Sequence, residues 1–108
     1  MPLELPKPIA AFFAAESGLD EEALAQYFAD GAVVWDEGRT FEGLTAVKEW
    51  KAETKKKYQH TIEPLASAQK DGNTVVTCRV AGNFPGSPID LKFVFSLEAG
   101  KIASLEIH

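Results

Sequence analysis

The sequence predicts an α+β domain, with helices gathered in its first half and strands in its second. Two periodicities and one size argument point there. Apolar residues recur at helical spacing through most of the stretch before Tyr58, whereas alternation of β-branched or aromatic residues with polar ones dominates after His60. The 108 residues match the common size of one domain, and no linker, internal repeat or low-complexity tract divides them. Residues 1–108 are therefore expected to form a single domain.

The first helix is expected from Pro8, whose missing N–H is harmless in a first turn, and its stripe is Ile9, Phe12 and Phe13. Gly18 should end it. Asp20 is a suitable N-cap for a second helix, with Glu21 and Glu22 in the first turn and Leu19 able to staple onto Leu24. Leu24, Tyr27 and Phe28 give this helix its buried face, and Asp30-Gly31 should stop it. Ala32-Val33-Val34-Trp35 then reads as a strand, and Asp36 to Gly43 as a loop. A third, longer helix is expected from about Leu44 to Tyr58, on the stripe Leu44, Val47, Trp50, Thr54 and Tyr58.

Four strands should follow. The first runs from about His60 to Gln69 and turns at Asp71-Gly72 into Thr74 to Ala81. The segment Asn83-Phe84-Pro85-Gly86-Ser87-Pro88 is a turn-rich loop. Leu91, Phe93, Phe95 and Leu97 alternate cleanly, and Ala99-Gly100 turns into a last strand from Lys101 to Ile107. Strands in this succession pair most simply as an antiparallel meander with the helices on one face.

Composition removes whole classes of function. Eleven Lys and Arg against sixteen Asp and Glu give a net charge of −5, which argues against nucleic acid or an anionic membrane as partner. One cysteine, Cys78, allows neither a disulfide framework nor a multi-cysteine zinc site. Two histidines, His60 and His108, exclude a three-histidine zinc site, so no metal and no cofactor is expected. The beginning of the chain has no long apolar run, and a cytoplasmic location is the expectation. Phosphate-loop, dinucleotide and nucleophile-elbow motifs are missing.

The order of elements, together with ALAQYFADGAVVWDEGRTFEGLTAVKEW and NTVVTCRVAGNFPGSPIDLKFVFSLEAGKIASLEI, resembles the nuclear transport factor 2-like superfamily and its SnoaL-like branch. The resemblance spans about Pro8 to Ile107. It implies a cone, in which a curved antiparallel sheet wraps the long helix and leaves an apolar pocket at one open end. The branch includes ketosteroid isomerases, polyketide cyclases and dehydratases, and also proteins that only bind. It further implies a homodimer through the outer sheet face, for which Val76 and Val94 are the outward candidates.

Asp36 is the leading candidate for chemistry. Alternation puts it on the face of Val34 and opposite Trp35, and a carboxylate inside an apolar cavity becomes a competent base as its charged form is destabilised. The resemblance agrees, because the isomerases carry their proton-abstracting Asp at this point. The competing structural role is a cap for the turn at Gly38. His60 is the second candidate, as an acid/base partner of Asp36 or a helix-terminus histidine. The isomerases' Tyr donor on the first helix has no counterpart here, since the matching residue is Phe12, and Asp90 falls one or two residues early for the late-strand acid. Phe12, Trp50, Tyr58, Phe84 and Phe93 are expected to line the pocket around a small apolar molecule. Cys78 reads as a small buried hydrophobe, Asp90 as a partner for Arg79 or Lys92, and His108 as frayed. Two functions fit: an isomerase, cyclase or dehydratase acting on a small apolar carbonyl compound, or a ligand-binding or dimerisation module without chemistry.

Overall fold

In a computed structural model, which describes residues 5–15, 24–36, 38–58 and 61–108, six strands form one curved sheet. The helices are α1 (Lys7–Ala15), α2 (Leu24–Tyr27) and α3 (Leu44–Tyr58). The strands are β1 (Phe28–Asp36), β2 (Arg39–Glu42), β3 (Thr61–Lys70), β4 (Asn73–Ala81), β5 (Ile89–Glu98) and β6 (Lys101–Ile107). Their order across the sheet is β2-β1-β6-β5-β4-β3. Every neighbouring pair is antiparallel except β1 and β6, which run parallel. The late strands thus form the expected meander, and β1 is added beside the last of them.

Two expectations need correction near β1. Asp30-Gly31 does not stop a helix: α2 is a single turn, β1 begins at Phe28, and the irregularity between Phe28 and Val33 absorbs Asp30-Gly31 within the strand. The sheet wins because Phe28 pairs with Ile102 of β6 and is buried in the core. The loop after Asp36 contains β2, folded back so that Val34 faces Phe41 and Asp36 faces Arg39. Gly38, at φ 74°, makes that turn possible. The caps and staple proposed between Gly18 and Glu22 lie outside the described residues.

Alternation sets the inner face of the sheet. Val76, Cys78 and Val80 of β4, Phe93 and Phe95 of β5, and Leu105 of β6 are all buried. Val76 was expected to face outward and does the opposite, since its register partner is Phe93 and both lie on the core side. Val75, paired with Val94, holds the outward place. Onto the inner face α1 brings Ile9 and Phe12, and α3 brings Val47 and Trp50. The Phe12 ring is the hub: its centroid lies 5.1 Å from that of Phe13, 5.5 Å from Phe95 and 6.0 Å from Phe28, in edge-to-face contacts.

Two hairpins close on two-residue turns in which both residues have positive φ. Asp71-Gly72 (52° and 81°) and Ala99-Gly100 (53° and 79°) have the handedness that matches strand twist. Aspartate tolerates that conformation, but alanine does so at a cost of roughly 1 kcal/mol. Replacing Ala99 with Asn, which also tolerates it, is expected to raise stability by about 0.5–1 kcal/mol in chemical denaturation.

Candidate functional site

The helices cover only part of the inner face, and the remainder walls a cavity of about 440 Å³, open to solvent on one side. This volume lies within the range that holds small ligands. β4 and β5 contribute Val80, Ile89, Leu91 and Phe93, α3 contributes Trp50, Lys51 and Thr54, and β1 contributes Asp36. Phe84 and Pro85 add a further edge from the loop between β4 and β5. That loop is fastened by hydrogen bonds from Gly82 N to Ser87 Oγ (2.9 Å) and from Ser87 N to the Phe84 carbonyl (3.3 Å).

Asp36 closes β1 with its side chain half-buried on the cavity side, after buried Val34 and on the face opposite Trp35. The Trp50 indole Nε1–H donates to Asp36 Oδ2 at 3.0 Å. This bond fixes the carboxylate against a ring of α3 that reaches the cavity. The two residues thus come together through a contact between strand and helix that the spacing of residues alone does not announce.

Trp50, Phe84 and Phe93 stand on the cavity wall, but Phe12 does not. Its ring is wholly buried among Phe13, Phe28 and Phe95, where it fills the core behind the cavity. Tyr58 ends α3, but its side chain lies outside the described residues, as does the whole of His60. The proposed Asp36–His60 pairing therefore gains no geometry here.

Lys51 is a cavity residue that the sequence did not single out. Its ammonium stands 4.8 Å from the centroid of the Phe12 ring, a cation–π distance, and the residue lines the cavity. Helical spacing carried the signal, since Lys51 is four residues after buried Val47 and three before Thr54. His108 is also not frayed. Its backbone exchanges hydrogen bonds with Lys92 (2.8 and 3.0 Å), which continues the β5–β6 ladder. Its imidazole lies 3.8 Å from Glu106 Oε1, two residues back on β6, and the residue also borders the cavity.

Asp90 pairs with Arg79 (Nε to Oδ1, 3.3 Å) on the outer face, where both are half exposed and the ion pair contributes little. Among the described residues, no three His, Cys, Asp or Glu side chains converge into a metal site. Nor is any helix among them long and apolar enough to cross a membrane.

The SnoaL-like domain family matches residues 9–105 of the chain. A protein from Sinorhizobium meliloti, proposed to be a polyketide cyclase, shares 39% identity and a TM-score of 0.92, over 96% of this chain and 95% of its own. A Catenulispora acidiphila protein with a ketosteroid isomerase-like fold shares 20% identity and a TM-score of 0.80, over 97% and 86% of the two chains. A proposed SnoaL-like isomerase from Agrobacterium tumefaciens shares 17% identity and a TM-score of 0.75, over 93% and 92%. The last two show likeness of fold. No curated protein matches the sequence.

Cys78 faces the core with its thiol directed at the Val76 carbonyl (3.8 Å), and burial pushes its pKa up to about 12. The thiolate is therefore scarce in the folded state, and a disulfide reagent at pH 8 should leave Cys78 unmodified until denaturant is added. Because the folded pKa lies above the unfolded one, the associated stability is complete below the unfolded value of about 8.5. It is lost as pH rises from there toward 12, and the denaturation midpoint should fall over that window.

Proposed function

The chain belongs to the SnoaL-like domain family, and from that premise we propose that it is an isomerase, cyclase or dehydratase-type enzyme for small, mostly apolar carbonyl compounds, with Asp36 as general base. One observation carries the reading: a half-buried carboxylate, held by the Trp50 indole at 3.0 Å, on the wall of an apolar cavity of about 440 Å³. Removing a proton from carbon beside a carbonyl requires a base that is oriented and shielded from bulk water. Trp50 orients it, and Val80, Leu91 and Phe93 supply the shielding. The name of the Sinorhizobium meliloti protein points to chemistry of the same class.

The test uses 2-tetralone, a compact apolar ketone, in deuterated buffer, with exchange of its α-protons followed by NMR. The protein is expected to accelerate exchange above the buffer rate. Asp36→Asn, which keeps the shape and loses the base, should reduce that acceleration by at least about a hundredfold. Binding of 2-tetralone without any acceleration would identify a binding module and overturn the enzymatic reading.

The proposed partners are a small apolar molecule in the cavity and a second copy of the chain on the outer face of the sheet. That face presents Trp35, which is 41% exposed, and half-buried Val75 and Val94. Light scattering is expected to give twice the mass of one chain, and Trp35→Glu to shift the mass toward one. A monomer mass that does not change with concentration would refute the pairing.

A further inference from the structure

We propose that Lys51 is the electrophile of the site: its ammonium holds the oxygen on which negative charge develops, which selects substrates that carry an enolisable carbonyl at one end of an apolar body. This rests on the reading of Asp36 as base. Abstraction of an α-proton leaves an enolate, and stabilising its oxygen is commonly the largest part of such a rate. The site must therefore present a donor as well as a base.

The described cavity wall narrows the choice of donor. Its apolar members offer no proton, and the Trp50 N–H is already given to Asp36. The His108 imidazole is directed at the Glu106 carboxylate, 3.8 Å away. Lys51 and Thr54 remain, both on α3 and one turn apart. Of these only Lys51 bears a charge, and a charge-assisted hydrogen bond to an oxyanion is about twice as strong as a neutral one. The Phe12 ring, 4.8 Å from the ammonium, gives Lys51 an apolar seat at cation–π distance. Phe12, which lies off the cavity wall, thereby acts on the site as a positioning residue.

The chemistry balances without another reactant. The Asp36 carboxylate takes the proton from the carbon beside the carbonyl. The electron pair of that C–H bond forms a carbon–carbon double bond, and the carbonyl π pair moves onto oxygen, where a Lys51 N–H meets it. Asp36, now a carboxylic acid, returns the proton to the same carbon or to a conjugated one, and the carbonyl re-forms. Lys51 keeps its proton throughout.

The test measures affinity for two probes of nearly the same shape. 4-Nitrophenolate, an apolar ring ending in an oxyanion, mimics the enolate, and 4-nitroanisole is its uncharged counterpart. Binding is read from probe absorbance and from tryptophan fluorescence, in the intact protein and in Lys51→Met and Lys51→Arg. Methionine keeps the length of the side chain, and circular dichroism verifies the fold. The unsubstituted protein is expected to bind both probes. Lys51→Met should weaken nitrophenolate by about ten- to a hundredfold while leaving nitroanisole within about twofold. Lys51→Arg should retain most of the nitrophenolate affinity. Unchanged nitrophenolate binding in Lys51→Met, or equal loss of both probes, would overturn the role of Lys51 while leaving Asp36 and the cavity as they stand. Failure of the unsubstituted protein to bind either probe would instead remove the ligand site on which both proposals depend.

Discussion

The Phe12 ring is where the two halves of the molecule meet. It rises from α1, is wholly buried, and makes ring contacts with Phe28 of β1 and with Phe93 and Phe95 of β5. Its edge-to-face neighbours fix the angle at which α1 lies across the sheet, because aromatic rings at these separations prefer such arrangements over parallel stacking. α3 packs mainly against β1 and β2, which leaves part of the inner face of β4 and β5 open. The cavity is the uncovered remainder.

The same ring also links packing to chemistry. Lys51 stands over its face, so a residue with no place on the cavity wall determines where a charge on that wall is held. On the other side of the helix stripe, Trp50 reaches Asp36. Consecutive residues of α3 thus address opposite needs: one holds an acid in place and the next presents a cation. A helix turns by about 100° per residue, which separates two adjacent side chains widely enough to approach a small molecule from different directions.

Much of this was legible in the sequence, and the unread parts share a physical cause. Strict alternation identified β5, and the Asp-Gly pair identified the β3–β4 turn, because both signals are local. The face on which Asp36 lies followed from Val34 and Trp35 for the same reason. Phe28 to Gly31 looked like the end of a helix because its strand character comes from Ile102, more than seventy residues later in the chain. Strand β2 was hidden because its four residues carry one large apolar side chain, Phe41, and depend on β1 for pairing. Val76 was misassigned by one step of alternation, which is enough to invert a face. Lys51 carries a charge that reads as solvent-facing, whereas its spacing from buried Val47 places it on the cavity side.

The parallel pairing of β1 with β6 has an effect on how the chain is built. β6 lies between β1 and β5, so an early strand and a late one share a neighbour that is synthesised after both. Until β6 emerges from the ribosome, β1 and β5 each present an unsatisfied row of amide and carbonyl groups. The nascent polypeptide must keep the edge of β1 apart from other chains for most of its translation and that of β5 for a short final stage, and β6 acts as the keystone that seals both.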